Sequence, residues 1–253
     1  MRRVLAVAAT PRTRLVELAS AASRKALPPE RSTAVKRRLY PVLAPLLGRD
    51  LTALGKLYNT DKAWQHGYTP HYQRHLLWPR RTPLTILEIG IGGSGGPETG
   101  GASLRMWAGY YPRARVVGID IEEKVVHHPR VEVRRGDQSD PEFLNGVARD
   151  LGGRLDLVVD DGSHVNAHVR ASFEVLFPYV VPGGLYVIED VQTSYWEDYG
   201  GAAPTTAELV KGLLDELNHE SFRVEGYEPT YTDLHVAAVH AYPNIVFLEK
   251  AAR

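Results

Sequence analysis

The sequence contains no cysteine, which removes disulfides, thiolate metal centres and cysteine nucleophiles together and suits a reducing cytoplasm. Any metal must then be held by oxygen or imidazole. An excess of charge is missing too: Lys plus Arg and Asp plus Glu both total 30, so nucleic acid is not indicated as a partner and any basic site is local. No apolar run is long enough to span a bilayer. The opening stretch MRRVLAVAATPRTRL imitates a leader, but Arg12 and Arg14 interrupt it early, and it reads as an amphipathic helix without stable membrane insertion. Internal repeats and low-complexity linkers are also lacking. What is present is an ordinary globular composition, 43% hydrophobic and 24% charged over 253 residues, enough for one sizeable α/β core with additional segments.

Residues 1 to about 50 look helical and basic, broken at Pro28, Pro29, Pro41 and Pro45, and are expected to form a helical cap or arm over 1–60 ahead of a second domain over 61–253. From Thr85 short apolar runs alternate with helical stretches: TILEIG (85–90), RVVGID (115–120), VEVRRG (131–136), LDLVVDD (155–161) and GLYVIED (184–190). This spacing predicts parallel strands with crossover helices. Gly152 and Pro182 are expected to end two of those helices, a further helix is expected near 205–218, and HVAAVHAY with NIVFLEK predicts an antiparallel hairpin at the sheet edge. The expected fold is a doubly wound, mainly parallel α/β sheet with an N-terminal helical extension.

After the first strand comes a glycine loop that includes Gly90 and Gly92. Glycines there let a ligand approach the backbone closely, though the pattern alone also fits a flexible turn or a dinucleotide site. Glu88 at the strand end favours S-adenosylmethionine (SAM), because a carboxylate can hold the ligand's ammonium group but would repel a pyrophosphate. Asp120 ends the second strand and can accept both ribose hydroxyls. Asp137 and Gln138, in GDQSD, are candidates for the adenine edge; a plain turn with a helix cap at Ser139 or Asp140 is the alternative.

The fourth strand ends in Asp160, Asp161, Gly162, Ser163, His164 and the fifth in Glu189, Asp190. Neighbouring strand ends would bring four carboxylates together, a costly arrangement that a hard cation relieves. Asp161, Glu189 and Asp190 suit Mg²⁺. Asp160 is grouped with the cofactor-binding residues. His164, beside the metal, can act as general base toward a metal-bound hydroxyl. Residue by residue, helix capping by Asp160 and Asp190 and a surface position for His164 would also explain the pattern.

The segments LYNTDK (57–62), YTPHY (68–72), LEIGIGG (87–93), GGASLRMW (100–107), GDQSD (136–140), DDGSHVNAH (160–168) and GGLYVIEDVQTSYWEDYGG (183–201) resemble the Mg²⁺- and SAM-dependent sugar O-methyltransferases. That family includes enzymes methylating deoxysugars of mycinamicin- and tylosin-type macrolides and related rhamnosides, with relatives in actinobacterial and mycobacterial methylated-polysaccharide biosynthesis. The resemblance runs over about 55–250 and implies a seven-stranded, Rossmann-like class I SAM methyltransferase fold. By matching positions it implies Asp161, Glu189 and Asp190 as metal ligands and His164 as base. It likewise implies Glu88, Gly90, Asp120, Asp137 and Gln138 at the cofactor. Tyr195 and Trp196 look like a lid or sugar platform, with loop packing as the alternative. Macrolide members can carry an N-terminal auxiliary domain, where this chain offers about 60 residues. The expected activity is methyl transfer to a hydroxyl of a small-molecule or oligosaccharide acceptor, in the cytoplasm, by a self-associating enzyme. Catechol O-methylation, NAD-linked redox chemistry and non-catalytic SAM binding are the alternatives.

Overall fold

The computed structural model describes residues 10–14, 16–18, 40, 42–93, 95–202 and 204–252. Most of the amphipathic helix expected at the N-terminus, and the prolines at 28, 29 and 41, lie outside the described residues. Two compact units account for the chain, one of residues 1–83 with 102–114, the other of residues 84–101 with 115–253. The first runs past the 60/61 boundary expected from the sequence and takes in a helix from the middle of the chain.

In the first unit, Asp50 starts helix α1 (Leu51–Tyr58) by accepting the Ala53 N–H at 2.8 Å, and Asn59 ends it in the left-handed conformation. Two short helices follow, α2 (Asp61–Trp64) and α3 (Thr69–His75), and then α4 (Ala102–Tyr110). Leu51, Leu54, Tyr72 and Trp107 are fully buried, and the Tyr72 and Trp107 rings meet edge to face at 5.0 Å. Arg80 donates to the carbonyls of Gly109 and Tyr110 at 3.2 and 3.1 Å. These bonds fasten the end of α4, whose last carbonyls lack intrahelical partners.

The second unit is a seven-stranded sheet of β1 (Thr85–Ile89), β2 (Arg115–Asp120), β3 (Val131–Arg135), β4 (Leu155–Asp160), β5 (Val180–Glu189), β6 (Val236–Tyr242) and β7 (Ile245–Lys250), in the order β3-β2-β1-β4-β5-β7-β6. The first five strands are parallel, and β7 runs antiparallel to both β5 and β6. The expected hairpin is present, with its second strand turned inward. Leu87, Ile89, Val117, Ile119, Val158, Tyr186, Ile188 and Leu248 share one core with Leu144 and Val147 of α5 (Pro141–Asp150), Phe173 of α6 (Asn166–Leu176) and Leu213 of α7 (Thr206–Glu216). This period-two pattern sends the alternate strand residues, Glu88 and Glu189 among them, to the opposite face. Order reverses between β1 and β4, so their carboxyl ends border the crevice where ligands bind in such sheets.

One boundary differs from expectation. Pro182 does not end a helix: α6 stops at Leu176, a single 3₁₀ turn covers Phe177–Tyr179, and β5 begins at Val180. The register jumps from Leu155 against Val180 to Leu157 against Leu185, so Pro182 sits in a bulge that needs no ladder hydrogen bond from it. Among the described residues no helix is long and apolar enough to cross a membrane.

Candidate active site

The glycine loop leaves β1 through Gly90, whose φ is 75° and whose N–H donates to the Ile119 carbonyl at 2.8 Å. A Cβ there would lie 2.2 Å from the Asp161 carbonyl oxygen, so glycine is required where the exit of β4 passes. Gly92, at φ 65°, faces open space instead, which fits close approach of a ligand to the backbone. Asp120 borders this loop. Its two oxygens accept the N–H groups of Ile91 at 3.1 Å and Glu122 at 2.9 Å. Lys124, which the sequence reading missed, has a buried side chain that pairs with Glu122 at 2.8 Å and donates to the Gly93 carbonyl. With the Val125 N–H on the Pro97 carbonyl at 2.7 Å, it braces the loop from the β2 side. Nothing in the local pattern IEEK announces that contact.

Glu88 is fully buried, in register between Gly118 of β2 and Val159 of β4. Asp137 accepts from the backbone and hydroxyl of Ser139, both at 2.8 Å, and these bonds hold its pKa down. Asp140 caps α5, accepting from Glu142 and Phe143, so the capping alternative is realised there. Gln138 is buried, with its amide committed to the end of β4: it donates to Asp160 at 3.1 Å and accepts from the Ser163 N–H at 2.6 Å.

Asp160 does not join the other carboxylates. It turns to the helix-covered side, where Gln138, Tyr186 (3.0 Å) and Ser172 donate to it. Burial pushes its pKa up against those bonds. The reason is the strand period: Asp160 follows Val158 onto the core face, and only the next residue emerges on the other side.

Asp161, His164 and Asp190 do converge. Their candidate ligand atoms all lie within 4.8 Å of one another, with His164 Nε2 at 4.0 Å from Asp161 Oδ1 and 3.7 Å from Asp190 Oδ2. All three side chains are partly buried. His164 and Asp190 adopt φ of 57° and 51°, two of only four non-glycine residues with positive φ among the described residues. Such strain persists where the surroundings impose it and gathers at functional sites. Here Thr193 imposes part of it, its hydroxyl reaching the carbonyls of Asp190 at 2.8 Å and His164 at 3.4 Å. Glu189, expected to complete an all-oxygen set, is buried at the end of β5 and is not a member of the trio. The two carboxylates, with no thiolate nearby, are the oxygen donors that a hard divalent cation takes, and the imidazole stands beside them.

Beyond Asp190, a 3₁₀ turn (Val191–Tyr195) opens the loop that carries Tyr195 and Trp196, 69% and 51% exposed. Asn166 anchors it: its amide donates to the carbonyls of Ser194 (3.3 Å) and Gly200 (2.7 Å) and accepts the Thr206 N–H (2.7 Å). Tyr199, also missed from the sequence, has its ring 6.4 Å from the His164 ring and 5.8 Å from Trp196. An aromatic surface therefore adjoins the imidazole.

No family model matches the chain. It is 45% identical over 210 residues to mycinamicin VI 2''-O-methyltransferase of Micromonospora griseorubida, covering 79% of this chain and 52% of that protein. It is 43% identical over 234 residues to 8-demethyl-8-alpha-L-rhamnosyl tetracenomycin-C 2'-O-methyltransferase of Streptomyces olivaceus, covering 89% of this chain and 61% of that protein. Among solved structures it is similar to the MycE methyltransferase from the mycinamycin biosynthetic pathway in complex with Mg and SAH, with a TM-score of 0.76 and 45% identity over 80% of this chain and 53% of that one. The chain thus spans between about half and three fifths of the length of these relatives. Its sheet is that of a class I SAM methyltransferase, and over the matched region the chain is similar to these sugar O-methyltransferases.

Proposed function

We propose that the chain transfers the methyl group of SAM to a sugar hydroxyl of a small-molecule or oligosaccharide glycoside, with Mg²⁺ as the assisting cation. The observation that carries this reading is the placement of His164 Nε2 at 4.0 and 3.7 Å from the carboxylates of Asp161 and Asp190, supported by relatives named as sugar O-methyltransferases. When bound, SAM supplies an electrophilic methyl group, and a divalent cation acidifies a coordinated hydroxyl.

The residues divide that work. Glu88, Gly90, Gly92 and Asp120 are read as the donor site, with Asp137 and Gln138 at its adenine end. Asp161 and Asp190 would hold the cation, with Glu189 as the proposed third oxygen ligand. His164 takes the acceptor proton at Nε2 rather than serving as a ligand. Tyr195, Trp196 and Tyr199 offer faces against which a pyranose ring can pack. Catechol methylation, NAD-linked chemistry and a non-catalytic role are not favoured by the relatives. A cytoplasmic, self-associating protein belongs to the same reading, and sedimentation of the purified chain tests the second part.

Methyl transfer from labelled SAM onto a panel of glycosides and catechols tests the activity, with the labelled product located by mass spectrometry. Label should enter a sugar hydroxyl, stop with EDTA and return with Mg²⁺. Transfer confined to catechols, or activity indifferent to chelation, would sink the assignment.

A further inference from the structure

The turn leaving β5 holds a polar side chain to which the proposed reaction assigns no task. Gln192 lies two residues after Asp190 and donates from Nε2 to Asp190 Oδ1 at 3.2 Å. A carboxylate beside an amide accepts, so this bond fixes the amide's orientation, nitrogen toward Asp190 and oxygen away from it. Gln192 Oε1 is buried and has no hydrogen-bond partner among the described residues. A buried acceptor left unmet costs free energy unless a bound group supplies the hydrogen. With Oδ1 engaged by Gln192, the other oxygen of Asp190, Oδ2, is the one that faces His164 at 3.7 Å.

Resting on the cation reading above, we propose that Gln192 is a positioning residue of that site. Its nitrogen turns Asp190 so that Oδ2 is presented to the ion, and its oxygen accepts from an O–H group held there, either a water or an acceptor hydroxyl. Glutamine suits both tasks: glutamate would set a second carboxylate against Asp190 with no N–H to give, and a hydrocarbon would do neither. The turn itself does not depend on this side chain. The Thr193 N–H and hydroxyl both bond the Asp190 carbonyl, at 3.0 and 2.8 Å, and the Val191 N–H bonds the Asn244 carbonyl at 3.1 Å. Replacing Gln192 should therefore leave the backbone in place.

The test uses the full chain, freed of metal by chelation and titrated with Mn²⁺ by electron paramagnetic resonance, with SAM affinity followed by calorimetry. Gln192→Met, similar in length but with no amide, should bind Mn²⁺ about 10- to 100-fold more weakly than the wild type. SAM affinity and the metal-free melting temperature should not change. If Oε1 holds a water, the whole loss appears without acceptor; if it holds an acceptor hydroxyl, the acceptor KM rises in addition. Equal Mn²⁺ affinity in variant and wild type overturns the proposal, and so does a parallel loss of SAM affinity, the mark of a merely structural role. Should Gln192→Met fail to fold, Gln192→Asn, whose amide falls one methylene short, carries the same titration and the same outcomes. A wild-type chain that binds no Mn²⁺ would instead remove the cation reading itself.

Discussion

Asp160 and Asp161 are consecutive and chemically identical, yet they lie in opposite environments. Asp160 is 1% exposed and receives hydrogen bonds from Gln138, Ser172 and Tyr186, which tie β4 to α6, β5 and the loop after β3. Asp161 stands partly open beside an imidazole and a second carboxylate. The first has its charge met by the protein's own donors, so it is part of the scaffold. The second sits with another acid and would gain most from a cation, so it is part of the site. One step along a pleated strand separates the two roles.

The sharpest way to break this comparison is at His164. His164→Ala should lower turnover about 10²- to 10⁴-fold, the range for loss of a positioned base, with melting temperature and SAM affinity unchanged. Steady-state methyl transfer beside a thermal melt checks it, and a fully active variant would return His164 to the surface loop. On the other side, Asp160→Leu should unfold more easily by about 3 kcal/mol, because several donors lose their acceptor in an apolar setting. Urea titration measures that loss. Asp160→Asn, which keeps an acceptor oxygen, should lose less.

Lys250 poses the Asp160 question with the opposite sign. Its ammonium is buried, donates to the Phe177 carbonyl at 3.2 Å and to the Tyr231 hydroxyl, and lies 4.3 and 4.4 Å from the centres of the Phe177 and Tyr231 rings. Desolvation pulls its pKa from 10.5 down to about 8. Because the folded value lies below the unfolded one, the folded state binds fewer protons between about pH 8 and 10.5. This group therefore makes stability climb across that window and depresses it below. The ring contacts and the hydrogen bonds to Phe177 and Tyr231 offset part of that desolvation cost. Lys250→Met, which removes the titrating group but also takes the donor from the Phe177 carbonyl, should flatten the rise in stability above pH 8, read from urea titrations at several pH values. The smallest effect expected is at the aromatic loop: Trp196→Ala should raise the acceptor KM about fivefold, near 1 kcal/mol, and leave the SAM KM alone.

Much of this architecture is legible in the sequence. The runs at 85, 115, 131 and 155 became strands within a residue of their expected limits, because apolar stretches bounded by turns encode buried parallel strands locally. The β5 start was not legible, since Pro182 looks like a helix stop and only pairing with β4 makes a bulge of it. Of the site, Asp161, His164 and Asp190 were legible as residues at strand ends. Asp160, assigned to the cofactor, is expected to converge with those carboxylates because a strand's last residue and the residue after it look alike in sequence.

By itself the sequence determined the α/β order, the exclusion of thiol chemistry and the gathering of acids at the ends of β4 and β5, all properties of local pattern and composition. The tertiary structure alone decided which acids face each other, how Lys124 braces the glycine loop, and how Tyr199 and Gln192 reach the site. Past the end of a strand, side-chain direction is set by left-handed turns at His164 and Asp190 and by bonds from Thr193 and Asn166. Apart from the bond between Thr193 and Asp190, those are contacts between segments far apart in the chain, and no short stretch of sequence carries them.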